Sequence, residues 1–152
     1  MPAVMHEGRR FIAGVNLDGL FVGPVLDEGL SRPFLVFGSD YHDEVFDPSW
    51  AKVLPRLSGW HRWFRLVGSG HYRFIDLGGS VRKWGLDTTL KPADPETWRT
   101  VFGDIGDALS QEIVVRVTTT FFERHLRHRS EPILHIPTDY YAELEDRTDT
   151  IG

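Results

Sequence analysis

Three short apolar runs, each stopping abruptly in glycine beside an acid, serine or histidine, set the tightest limit on how this chain folds. The first is Phe11-Ile12-Ala13-Gly14-Val15-Asn16-Leu17, closed by Asp18-Gly19. The second is Pro33-Phe34-Leu35-Val36-Phe37, closed by Gly38-Ser39-Asp40. The third is Trp63-Phe64-Arg65-Leu66-Val67, closed by Gly68-Ser69-Gly70-His71. Runs this short and this continuously apolar are expected of parallel strands covered on both faces. In such α/β sheets the chemistry gathers at the carboxyl ends of the strands, where these polar closures fall.

The intervening segments fit crossovers. Asp47-Pro48 combines an N-cap with a proline at the first helical position, and predicts a helix through Trp50, Val53 and Leu54 towards Leu57, distorted at Pro55. Residues Leu20 to Arg32, rich in glycine and proline, predict a loop with little helix. Asp76-Leu77-Gly78-Gly79 is expected to be a glycine-rich connection, and Asp94-Pro95 to open a short helix through Trp98, Val101 and Phe102. The strongest helical period links Leu109, Ile113, Val117 and Phe121, joined by Val114, Phe122 and Leu126, and predicts a helix packed on the sheet. Residues 1–129 are therefore one α/β unit. Residues 130–152, with Pro132, Pro137 and an acidic end, are expected to be an irregular, frayed tail.

Bulk properties exclude several functions. A formal net charge of -5 over 152 residues, with scattered basic residues, argues against a nucleic-acid footprint. The densest basic cluster (Arg124, His125, Arg127, His128, Arg129) suits a helix C-terminus, where cations meet the negative end of the dipole. Cysteine is absent, which removes disulfides, thiolate metal sites and cysteine nucleophiles, and leaves the cellular compartment open. No stretch is long and apolar enough to span a bilayer. Met1 to Arg10 lacks the apolar core of a signal peptide and reads as the tail of a helix leading into the first strand.

The element with most chemical content is Gly68-Ser69-Gly70-His71-Tyr72. A histidine on a glycine-flanked loop after a strand can reach across the carboxyl edge of the sheet to a nucleophile on another strand. Serine becomes nucleophilic when a base takes its proton, and that base needs an acid to fix its tautomer and stabilise the imidazolium. Asp18 and Asp40 end the two preceding strands, and both stand as candidates for that acid. Acid before histidine is also the chain order of α/β-hydrolases.

Three segments carry a resemblance: Gly14-Val15-Asn16-Leu17-Asp18-Gly19, then Arg32-Pro33-Phe34-Leu35-Val36-Phe37-Gly38-Ser39-Asp40, then Gly68-Ser69-Gly70-His71-Tyr72-Arg73-Phe74-Ile75-Asp76. In order and spacing they resemble the platelet-activating factor acetylhydrolase family, and in particular its bacterial esterase and lipase relatives. Phe121-Phe122-Glu123-Arg124-His125-Leu126 is similar to that family's C-terminal helix. The resemblance implies an α/β-hydrolase fold, hydrolysis of short acyl or lipid esters through an acyl-serine, no metal and no cofactor. It places the base at His71 and the acid at Asp18, although related bacterial lipases put the acid after the next strand, at Asp40. Asp76 would order the histidine loop.

The family's nucleophile sits in a Gly-x-Ser-x-Gly elbow one strand and one helix before the segment that opens this sequence. These 152 residues contain no such motif. Gly38-Ser39 and Gly68-Ser69-Gly70 have the wrong spacing and lie on the wrong strands for a strained elbow. The oxyanion donors next to the elbow are missing with it. The resemblance thus implies the C-terminal part of a serine esterase, with the elbow encoded upstream and little activity expected from this chain alone. A first strand without its outer neighbour would expose an edge able to pair with another strand, so a non-catalytic remnant or a binding module are the rival readings.

Other features have simpler readings. The 5 tryptophans (Trp50, Trp60, Trp63, Trp84, Trp98) are expected mostly in core and helix–sheet packing. His42, Asp43 and Glu44 are adjacent, which is poor geometry for a closed metal site. His125 and His128, at i and i+3, read as helix-end charge.

Overall fold

A computed structural model describes residues 11–150 except Asp76 and Ser130. The expectations of a helix tail at Met1 to Arg10 and of an ordering role for Asp76 lie outside the described residues.

The three apolar runs form strands β1 (Gly14–Leu17), β2 (Phe34–Ser39) and β3 (His61–Leu66), parallel and in sequence order. Gly14 stands opposite Phe34, and Phe34 opposite His61. Every residue of β2 is buried, because helices cover both sides of it. Strand geometry sends successive side chains to opposite faces. Leu35 and Phe37, with Phe64 and Leu66, join one core cluster, whereas Phe34 and Val36, with Trp63, join another.

After α1 (Val25–Glu28), the second cluster is closed by α2 (Pro48–Val53), which contributes Trp50 and Val53. Asp47 caps α2 by accepting from the Ser49 N–H at 2.8 Å, with Pro48 at the first helical position. At Pro55 the helix tightens into a 3₁₀ turn, Leu54–Arg56, in line with the predicted distortion. Between β3 and the long helix lie α3 (Leu77–Lys83), α4 (Asp87–Ala93) and α5 (Pro95–Val101), the last capped by Asp94 accepting from the Thr97 N–H at 3.0 Å.

The first cluster is closed by α6 (Asp107–Arg127), whose Ile113, Val114, Val117 and Phe121 face the sheet. Phe122 and Leu126, expected on the same stripe, turn towards solvent. The helix ends at His128, which adopts a left-handed conformation with φ 55°. Its basic last turn is paired as well as placed, since Arg127 and Arg129 both reach Glu123.

Two segments depart from the sequence reading. Leu77-Gly78-Gly79, expected as a connection, begins α3; Gly78 lies where a Cβ would come within 3.1 Å of Arg73 Nη1 and 3.3 Å of Asp107 Oδ1, so small residues let the helix seat against that buried ion pair. The tail is also not frayed throughout. Ile133 and Leu134 are fully buried in the main core, and β4 (Leu144–Asp146) pairs antiparallel with β3, with Leu144 opposite Leu66. Arg65 on β3 holds Glu145 through two N–H groups, giving an acidic stretch of low strand propensity a reason to extend.

Candidate active site

Asp18 follows β1 directly, and its own N–H still continues the ladder, donating to the Phe37 carbonyl at 2.8 Å. Its backbone is left-handed, with φ 56°. The Asn16 side chain spans the turn, donating to the Gly19 carbonyl at 2.6 Å and accepting from the Gly19 N–H at 2.8 Å. Trp50 Nε1 donates to the same carbonyl at 2.9 Å. Three fixed contacts thus turn the Asp18 carboxylate over the ends of the strands. It is 1% exposed.

His71 opens a 3₁₀ turn, His71–Phe74, on the loop after β3. Its Nδ1 lies 2.8 Å from Asp18 Oδ2, and its side chain is 56% exposed. The other Asp18 oxygen accepts from the Ser39 N–H at 2.6 Å. With Nδ1–H given to Asp18, the ring lone pair resides on Nε2. That is the tautomer a general base requires.

The histidine loop is clamped from two sides. Asp40 Oδ2 accepts from the Gly68 N–H at 2.9 Å, and the Asp40 N–H donates to the Ser69 carbonyl at 3.1 Å. From the other side, Asp104 and Ile105 donate to the Gly68 carbonyl at 2.8 and 3.0 Å. Ser69 is fully buried and spends its hydroxyl on the Leu66 carbonyl at 2.7 Å, which is not the posture of a nucleophile. Gly70 packs so closely on α5 that a Cβ there would fall 2.4 Å from the Val101 carbonyl carbon.

Of the two candidate acids, the structure brings Asp18 to His71. Asp40 is engaged elsewhere, by Gly68 and at 3.8 Å by Arg65 Nε. His42 joins the site unexpectedly: its Nδ1 lies 3.2 Å from Asp18 Oδ1 and its Nε2 lies 2.9 Å from Asp47 Oδ2. Burial pushes the His42 pKa down, but the bonds to Asp18 and Asp47 more than reverse this, leaving it above the ordinary value. Asp47 is pushed up by burial and pulled further down by His42 and Ser49, to a net position below the usual carboxylate range. The sequence signal for His42 was slight: a histidine two residues beyond Asp40 and five before a helix cap.

His42, Asp43 and Glu44 do not converge as ligands, since Asp43 accepts from the Val45 and Phe46 N–H groups while His42 faces away to Asp18 and Asp47. Among the described residues no group of three or more His, Cys, Asp or Glu is arranged to hold a metal ion. Among them, too, no helix is long and apolar enough to cross a membrane. Trp50, Trp63 and Trp98 are buried in packing, Trp60 is partly buried and Trp84 is exposed.

A mixed sheet of three parallel strands and one antiparallel strand, flanked by helices and with an acid and a histidine meeting over its strand ends, matches part of an α/β-hydrolase fold. Its relatives are esterases. The chain is 27% identical over 155 residues to a protein of Arthroderma benhamiae described as a "Probable 1-alkyl-2-acetylglycerophosphocholine esterase", covering 95% of this chain and 39% of that protein. It superposes on a ferulic acid esterase from Streptomyces cinnamoneus with a TM-score of 0.80 and 30% identity, over 94% of this chain and 42% of that one. The chain thus spans about two fifths of the length of these relatives. No family model matches the sequence.

Proposed function

We propose that these residues supply the base and the acid of a carboxylic ester hydrolase that works through an acyl-serine, with the serine elbow contributed by sequence outside these 152 residues. The observation that carries this reading is the 2.8 Å contact between His71 Nδ1 and Asp18 Oδ2. His71 Nε2 takes the proton of the serine hydroxyl as its oxygen bonds to the ester carbonyl carbon. Asp18 stabilises the resulting imidazolium, which then gives its proton to the departing alkoxide. Water completes the cycle by the same route, releasing the acid and restoring the serine. The names of the two relatives favour a carboxylic ester, of a lipid or of an aromatic acid, as the substrate class.

The test is hydrolysis of an activated short-chain ester by the longest in-frame product that contains these residues. Activity that disappears in His71→Ala and in Asp18→Asn is expected. Full activity in either variant overturns the assignment.

A second reading has one observation in its favour. Among the described residues β1 is hydrogen-bonded only to β2, and Leu17 on it is 37% exposed, so its outer edge is open to another strand. Concentration-dependent association of the purified chain, measured by light scattering, is expected if that edge pairs. A monomer at all concentrations removes self-pairing.

A further inference from the structure

The base–acid pair uses one imidazole on Asp18, yet the carboxylate holds two. His71 takes Oδ2, and His42 stands 3.2 Å from Oδ1 on the opposite side. His42 differs from His71 in its surroundings: its side chain is 11% exposed, against 56%. Its second nitrogen meets another carboxylate, Asp47, at 2.9 Å. A neutral imidazole has one N–H and one lone pair, so it can serve only one of two carboxylates. Two carboxylates, one at each nitrogen, call for two N–H groups and therefore for the cation.

The rings around His42 agree with that charge. Trp50 stacks on it at 4.3 Å between centroids with 25° between planes, and Phe46 meets it edge-on at 5.8 Å. The stacked indole face of Trp50 favours a cation at this range. The charged groups facing His42 are Asp18 from the end of β1 and Asp47 from the start of α2, both acidic. From the end of β2, Asp40 directs its carboxylate to Gly68 and Arg65, and Asp43 caps the Val45 and Phe46 N–H groups.

We propose that His42 is a buried cation that shares the Asp18 carboxylate with His71, a positioning residue anchored by Asp47. The role rests on the reading of His71 and Asp18 as base and acid. A carboxylate that is 1% exposed needs compensation for its lost hydration. His42 supplies a counter-charge from a place where it cannot compete for substrate. It also fixes which oxygen faces His71, since Oδ1 is occupied by His42 and the Ser39 N–H. Because Asp47 is also the N-cap of α2, the position of that helix is coupled to the site.

Side-chain nitrogen–proton NMR of the purified chain tests this without any turnover. His42 is expected to titrate above the ordinary value of 6.5 and to show protons on both nitrogens below its midpoint. His42→Gln removes a ring packed on Trp50, so Asp47→Asn carries the test; asparagine keeps the helix cap while discarding the charge. In that variant the His42 midpoint should fall, because the charge of Asp47 that raises it is gone. The Nδ1 proton of His71 should also move downfield, because Asp18 no longer shares its charge with a cation. A His42 midpoint at or below the ordinary value, or an unmoved His71 proton in folded Asp47→Asn, overturns the proposal. A wild-type His71 without a proton on Nδ1 overturns the catalytic pair itself; a failure confined to His42 leaves that pair standing.

Discussion

Asp40 accepts a hydrogen bond from the Gly68 backbone N–H at 2.9 Å, tying the end of β2 to the loop that carries His71. The same loop is gripped on its far side by Asp104 and Ile105, which share the Gly68 carbonyl. Asp40 therefore shapes the path by which His71 reaches Asp18, while Asp18 makes the contact. Two acids at equivalent strand ends take different tasks because one side chain meets a ring nitrogen and the other a backbone amide.

This division predicts unequal effects on the proposed ester hydrolysis, assayed in the longest in-frame product. Asp18→Asn removes the partner of the imidazolium and should lower kcat by on the order of 10⁴-fold. Asp40→Asn keeps an acceptor for Gly68 and should cost far less. Steady-state kinetics on both variants checks this; loss confined to Asp40→Asn reverses the assignment of the acid.

The chain alone should not form an acyl-enzyme. Ser69 has its hydroxyl on a backbone carbonyl, and the sequence contains no elbow serine. Treatment with a fluorophosphonate probe should leave no covalent label by mass spectrometry. Release of nitrophenol from a short-chain ester should be equal in the wild-type chain and in His71→Ala.

Gly103→Ala should destabilise the loop clamp without touching the pair. Gly103 has φ 72°, and a Cβ there would fall 2.2 Å from the Gly68 carbonyl oxygen. The strained φ alone costs roughly 1–3 kcal/mol, and the backbone collision adds to it. A fall in Tm of at least about 3–10 °C is expected by calorimetry.

Stability should depend on pH through the His42–Asp47 clamp. The folded His42 pKa is raised, so its contribution is complete below the ordinary value of 6.5 and disappears as pH rises through the folded value. The Asp47 pKa is lowered, so its contribution is present above 3.8 and is lost as pH falls through the folded value. The difference in urea midpoint between wild type and His42→Gln should therefore be widest at about pH 4–6 and narrow towards pH 9.

The seating of α6 can be checked with neighbouring phenylalanines. Phe121 is fully buried against the sheet, whereas Phe122 is 37% exposed. Phe121→Ala should cost roughly 3–5 kcal/mol of unfolding free energy, and Phe122→Ala about 1 kcal/mol or less. Chemical denaturation of both variants measures the difference.

Much of the fold was legible because its signals are local. Proline after a capping aspartate marked α2 and α5, and the continuous apolar runs marked β1 to β3, since residues buried on both faces leave a pattern that needs no knowledge of neighbours. The strand β4 left no such pattern. Leu144-Glu145-Asp146 offers one apolar residue, and it extends because Leu144 meets Leu66 and Glu145 meets Arg65, far away in sequence. Phe122 and Leu126 face solvent for a related reason: an apolar residue beside the stripe fits the helical period loosely, and packing against the sheet selects Phe121 over its neighbour.

The sequence by itself determined the three strands, the glycine-flanked His71 and the two acids between which its partner had to be found. Only the tertiary structure decided between them, for the choice turns on which of two strand ends lies under a loop 53 residues from Asp18. It alone, too, carried His42 to Asp18. Hydrogen bonds form over about 3 Å, and no linear pattern records which distant side chains the packing of a sheet will bring that close.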